Sequence, residues 1–328
     1  MAAIENIRLS YEGDMPSLEA TTEWLNSKRV TATDLRGHVV VVDFWTFTCV
    51  NWIRTAPYRR AWAERYREHG LTVIGVHTPE FPFETDLHSI RTAIDERRIT
   101  YPVAIDSDYA IWSAFANRYW PALYVADPEG AIRFHHFGEG RYEESERAIQ
   151  ALLDVPDLAD EDVVGVEAEG VEAAADWATL RSPETYLGYE RAERFASPGR
   201  PVLEEPHMYD APSPLGLNQW ALAGDWTIGR KASRTTGAGG RLSFRFRARD
   251  LNLVMGPTQG AEPVAFQVRL DGDAPGEARG VDVDDRGEGT AADRRLYQLV
   301  RQPGDVDERL FEIAFVEPGA EVYVFTFG

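Results

Sequence analysis

Residues 39–45 read Val-Val-Val-Val-Asp-Phe-Trp, and this short run constrains the fold more than any other part of the chain. Four consecutive β-branched residues followed by two aromatics suit a strand buried on both faces. Such strands belong to parallel sheets covered by helices. Residues 50–69 then carry a helical pattern, interrupted at Pro57. A strand that ends where a helix begins places the intervening residue, Cys49, at a helix N-terminus. Backbone N–H groups and the helix dipole favour a thiolate there. Cys49 is the only cysteine of the 328 residues, so the chain has no disulfide framework and no Cys-rich zinc site.

The first half continues in the same style. Residues 71–77 (LTVIGVH) read as a second buried strand, and residues 86–98 and 107–117 show helical spacing. Residues 122–127 and 131–137 flank Pro128-Glu129-Gly130 and read as a hairpin, with an amphipathic helix over 141–153. From Asp154 to Leu180 there is no Lys or Arg while acidic residues recur, which marks an acidic linker over 154–182 with a short helix expected around 173–180. Beyond it, strand-like runs at 241–248, 251–256, 264–270, 295–300, 309–316 and 322–328 alternate with Gly-, Pro- and Asp-rich turns. The expected architecture is an α/β domain over 1–153 and an all-β jelly roll or sandwich over 183–328.

The net charge of −20 makes nucleic acid a poor partner, since phosphate binding needs a basic surface. No run approaches the ~20 apolar residues of a membrane span. The first residues carry neither the basic nor the apolar region of a signal peptide, so a cytoplasmic location is expected. No cofactor or metal is indicated. Asp282, Asp284 and Asp293 fall at calcium-loop positions, but Arg286 spoils the pattern, and a solvated acidic turn is the competing reading. Trp220, Trp226, Tyr186 and Tyr189 could stack on sugar, or they could be core, so a glycan or a protein stays open as the partner of the second domain.

The text around Cys49 resembles the thioredoxin superfamily. DFWTFTCVNW is similar to the segment in which Asp, Phe and Trp precede the reactive cysteine. Pro57 matches the proline within the following helix. Pro121, in RYWPALYVAD, matches the cis-proline that packs on the cysteine and contacts substrate backbone. GDMPSLEA and TATDLRGHVVVVDFW are similar to the redoxin branch, TlpA-like and AhpC/TSA-like. With GVHTPEF and FHHFGEG, residues 14–153 resemble the thioredoxin-like region of DipZ-type proteins, followed by a carbohydrate-binding-module-like jelly roll.

The resemblance implies thiol chemistry, with one departure. The second cysteine of the Cys-x-x-Cys motif is replaced by Trp52, so an intramolecular disulfide cannot form and an external thiol must resolve any mixed disulfide. Asp43 matches the buried acid that serves that second thiol. Here it is either a satisfied buried carboxylate or a modulator of Cys49. Thr46 matches the threonine three residues before a peroxidase cysteine, with Val42 where the motif has proline. The expected reactive set is Cys49, Thr46, Asp43 and Pro121. Trp45, Asn51, Trp52, His77, Glu80, Arg118 and Trp120 are the expected groove residues, and Arg54 or Arg118 could supply a cation. His77 is either a base toward Cys49 or structural. His135 and His136, adjacent in a strand, face opposite ways and cannot chelate together. The implied substrate is a disulfide or a peroxide. The non-catalytic reading is a redox-inactive scaffold that binds protein or glycan.

Overall fold

Val39–Trp45 forms the central strand of the first unit, with every residue buried. The computed structural model describes residues 9–154 and 163–328, and the chain divides into two compact units that part between Ala173 and Ala174. In chain order the first unit holds β1 (Gly13–Asp14), β2 (Glu23–Leu25), α1 (Ala32–Leu35), β3 (Val39–Trp45), α2 (Val50–Arg65), β4 (Leu71–His77), α3 (Leu87–Glu96), β5 (Val103–Ile105), α4 (Ala110–Ala114), β6 (Ala122–Ala126), β7 (Ala131–Phe137) and α5 (Tyr142–Leu153). The sheet order is β1-β7-β6-β3-β4-β5-β2.

β3 runs parallel to β4, and β4 to β5. A parallel neighbour requires a crossover, which α2 and α3 supply. β6 and β7 close the other side as an antiparallel hairpin. Asp127 holds its turn by accepting from the backbone N–H groups of Glu129 and Ala131, and Gly130 takes the left-handed conformation there (φ +89°). This is the thioredoxin fold. α2 runs through Pro57, and the 107–117 region is helical only over Ala110–Ala114. Asp106 ends that region's helical reach by accepting from the N–H groups of Ile111 and Trp112.

The second unit is antiparallel throughout its named strands: β8 (Thr185–Tyr186), β9 (Pro206–Tyr209), β10 (Trp220–Ile228), β11 (Ser233–Thr235), β12 (Arg241–Arg247), β13 (Asp250–Pro257), β14 (Val264–Leu270), β15 (Glu288–Ala291), β16 (Arg295–Arg301), β17 (Glu308–Phe315) and β18 (Ala320–Phe327). One layer runs β15-β14-β17-β12-β10, and the other runs β10-β11-β18-β13-β16. β10 belongs to both. Its first half pairs with β12 and its second with β9 and β11, and the change falls at Gly224, whose φ is +87°. The aromatic core lies between the layers. Phe244 of β12 meets Phe325 and Phe327 of β18 at ring distances of 5.0 and 5.3 Å. The unit is an antiparallel half-barrel or sandwich.

One expectation needs correction, and the alternatives left open for two sets of residues fall on one side. No helix forms around 173–180. A short 3₁₀ turn at Gly170–Glu172 precedes a turn in which the Asp176 carboxylate accepts from Thr179 Oγ1 (2.6 Å), a local bond that competes with helix. The linker residues 155–162 lie outside the described residues. Trp220 and Trp226 are core, 1% and 0% exposed, and present no ring face to solvent. Asp282 is engaged by Arg295 and the Gln298 N–H, while Asp284 caps the N–H groups of Arg286 and Glu288, so neither carboxylate points to a calcium ion. Among the described residues no helix is long and apolar enough to cross a membrane, and no cluster of His, Cys, Asp or Glu could hold a metal ion.

The corner at Gly224 generates a prediction. A side chain at a left-handed position costs about 1–3 kcal/mol. Gly224→Val should lower stability by that amount in urea denaturation, whereas a substitution at exposed Val316 should leave it unchanged.

Candidate active site around Cys49

β3 ends at Trp45, and Thr46–Thr48 turn the chain into α2. The Cys49 N–H donates to Thr46 O (3.2 Å), and its carbonyl accepts from Ile53 N–H (2.9 Å), which makes Cys49 the N-cap residue of the helix. Its side chain makes no capping bond. It turns instead toward the segment before β6, where Sγ lies 3.7 Å from Trp120 O. The Trp120–Pro121 peptide is cis, and Pro121 O accepts from Gly138 N–H. Cys49 is a partly buried residue, and as the N-cap it stands at the positive end of the α2 dipole.

Trp52 fills the place of a second thiol and is fully buried. Its indole stacks on Trp45 at 4.2 Å and donates from Nε1 to Asp43 Oδ2 at 2.8 Å. The other oxygen, Asp43 Oδ1, accepts from Arg59 Nε at 3.0 Å. Asp43 and Arg59 are 0% and 1% exposed, so this is an ion pair without solvent. Burial pushes the Asp43 carboxyl up, while Arg59 and the Trp52 N–H oppose that shift. Of its two readings, Asp43 fits the satisfied carboxylate.

A second buried carboxylate was not foreseen. Glu84 is 0% exposed, and Oε1 accepts from the hydroxyl of Thr48, the residue before Cys49, at 2.5 Å. Oε2 accepts from the N–H groups of Glu80 and Phe81 (2.6 and 2.8 Å). Glu84 thereby ties the β3–α2 turn to the segment after β4. Burial raises its pKa from the ordinary carboxylate range to about 7. One sequence signal could have pointed to it: an acidic residue two positions after Pro82, a pattern that caps a helical turn.

Comparison with known proteins agrees with this geometry. The profile of the AhpC/TSA family matches residues 13–135, and that of the thioredoxin like C-terminal domain matches residues 182–328. Thiol-disulfide oxidoreductase YkuV of Bacillus subtilis is 31% identical over 140 residues, covering 42% of this chain and 93% of YkuV. The chain belongs to the thioredoxin-like redoxin family. Protein DipZ of Mycobacterium tuberculosis is 33% identical over 251 residues, which is 75% of this chain and 35% of DipZ. The chain thus spans about a third of DipZ's length. A solved thioredoxin-like protein in its oxidised form is 31% identical, covers 43% of this chain and 95% of that one, and superposes with a TM-score of 0.40.

The remaining expected residues of this redoxin fall into distinct places. His77 is 0% exposed, packed edge-on to Trp45 (4.8 Å) and stacked on Phe47 (5.8 Å). Neither ring nitrogen has a hydrogen-bond partner, and burial lowers its pKa to about 3, so it is neutral at pH 7. Thr46 is fully buried, with its hydroxyl toward the Glu84 carboxylate, whose proton affinity it lowers. Trp120 donates from Nε1 to Thr78 O and packs on Trp112 at 4.2 Å. Asn51 and Glu80 are partly exposed, and Arg118 lies on the surface. Arg54 is buried in an ion pair with Glu139 at 3.1 Å. His135 is exposed and bonded to Glu12, while His136 is buried, on opposite faces of β7.

Two predictions follow from the buried acids. Arg59→Met strands the Asp43 charge and should cost about 3–5 kcal/mol in urea denaturation. Adding Asp43→Asn should recover much of that loss. Glu84 binds its proton more tightly folded than unfolded, so its contribution is complete below about pH 4.5 and is lost as pH rises through about 7. Stability should fall by up to ~3 kcal/mol across that window. Glu84→Gln should flatten this part of the stability–pH curve.

Proposed function

We propose that this redoxin carries out thiol–disulfide exchange with Cys49 alone. The observation that carries the reading is the pairing of a partly buried Cys49 at the start of α2, its Sγ 3.7 Å from Trp120 O, with a second-thiol position filled by buried Trp52. The Cys49 thiolate attacks one sulfur of a substrate disulfide. That S–S bond breaks, the other half leaves as a thiolate, and Cys49 holds the first half as a mixed disulfide. An external thiolate then attacks the substrate sulfur of this adduct and releases the Cys49 thiolate. A second external thiol reduces the remaining mixed disulfide, so two external thiols supply the two electrons.

Substrate backbone is positioned along the segment before Pro121, and the first shell of the sulfur comes from Trp120 and the α2 N-terminus. The likeness to YkuV, a thiol-disulfide oxidoreductase, supports exchange over peroxide reduction. Burial of Thr46 supports it too, because a peroxide would have to reach a hydroxyl with no exposed surface.

The reading is tested by incubating the full chain with oxidised glutathione or hydrogen peroxide and following intact mass. A single glutathionyl adduct on Cys49, formed faster than any sulfenate and removed by added thiol, is expected. Cys49→Ser should give neither adduct nor turnover. An adduct that appears only after denaturation would overturn the enzyme reading and leave a redox-inactive scaffold. Faster sulfenate formation would make the chain a one-cysteine peroxidase.

A further inference from the structure

The second unit contains a cleft that exchange chemistry does not use. The segment Phe195–Leu203 runs beside β10 and is pinned at both ends, by bridges Phe195↔Trp220 and Leu203↔Ile228. Ser197 still holds to β10, its hydroxyl donating to Leu222 O and accepting from Leu222 N–H, and beyond it the segment lifts away. Pro198 and Pro201 lack an N–H, and Gly199 turns the chain at φ +89°, so no ladder can form along this stretch. Tyr209 fixes the raised part, its hydroxyl bonded to both N–H and C=O of Val202. A cleft of about 340 Å³ remains under the arch. Phe195, Leu203, Trp220 and Ile228 wall it, with Tyr189 and Arg200 at its edge.

The lining is strongly apolar and asymmetric in charge. Leu203 and Tyr189 stay 45% and 37% exposed, an apolar rim that packing within the unit leaves uncovered. Arg200 is exposed, and among the described residues no carboxylate pairs with it. Arg230 and Arg245, by contrast, are paired with Glu190 and Glu308. We propose that this cleft binds a small aromatic carboxylic acid, its ring between Phe195 and Leu203 and its carboxylate on Arg200. The size falls at the small end of ligand pockets, which suits one or two fused rings. The scarcity of polar groups disfavours a sugar, whose hydroxyls would be desolvated without partners.

The full chain, labelled at tryptophan indole nitrogen, is titrated with naphthalene-2-acetate and, separately, with the neutral 2-(2-naphthyl)ethanol. Trp220 walls the cleft and its Nε1–H is held by a bond to Glu193 O, so its resonance reports occupancy. Saturable shifts with both probes, the acid binding more tightly, are expected. Arg200→Gln should weaken the acid about tenfold, in the range of a charge-assisted hydrogen bond, and leave the alcohol unchanged. Leu203→Asp should abolish both while a cooperative thermal transition is retained. No saturable shift, or equal loss of both probes in Arg200→Gln, would overturn the proposal. Cys49→Ser should bind normally, which keeps this result separate from the exchange chemistry.

Discussion

A carboxylate with no access to water has to be neutralised where it stands, and Asp43 imposes that demand on the middle of the first unit. It sits on β3 between two strands, with no solvent on either face. Its two oxygens draw two side chains from α2, Trp52 from the first turn and Arg59 from further along. The helix that starts at Cys49 is therefore docked onto the sheet by a salt bridge and a hydrogen bond as well as by apolar contact. The stack of Trp45 on Trp52 then fills the space beside them. The same arrangement bears on the proposed chemistry. The position that would carry a resolving thiol is occupied by an indole, and the acid that would serve such a thiol is held by an arginine.

Among the groups Cys49 meets are the turn before it and the Trp120–Pro121 segment across from it. On the turn side, Thr48 and Glu84 link the approach to α2 with the segment after β4, over a separation of 36 residues. Two carboxylate-centred clusters support the segment that carries Cys49. The Asp43 cluster fixes the helix, and the Glu84 cluster fixes the loop.

Much of the fold was legible because burial leaves a strong mark on composition. Val39–Trp45 and Leu71–His77 read as strands since both faces are covered, and β12, β14 and β17 alternate as half-buried strands must. Short elements such as β1 and β2 carry no period to read. β10 was missed for a different reason. Its nine residues change sheets at Gly224, so Gly224-Asp225 interrupts the alternation and resembles a turn. In the site, Cys49 and Pro121 were legible from local text. Arg59 and Glu84 were not, because a charged residue in sequence reads as solvated, and only the folded contact shows that each has a buried partner.

The replacement at Trp52 also bears on whether a one-step reversal to a dithiol site is physically open. A cysteine at that position would remove the indole that stacks on Trp45 and bonds Asp43. It would open a cavity in the core and leave one oxygen of a buried carboxylate without its donor. Arg59 would still hold the other oxygen, so the acid would not be released to act as a proton acceptor for the new thiol. Trp52, Asp43, Arg59 and Trp45 depend on one another, and a second thiol alone does not rebuild what they replaced. The single-thiol arrangement is thus stabilised by packing and charge around it, beyond the absence of one sulfur.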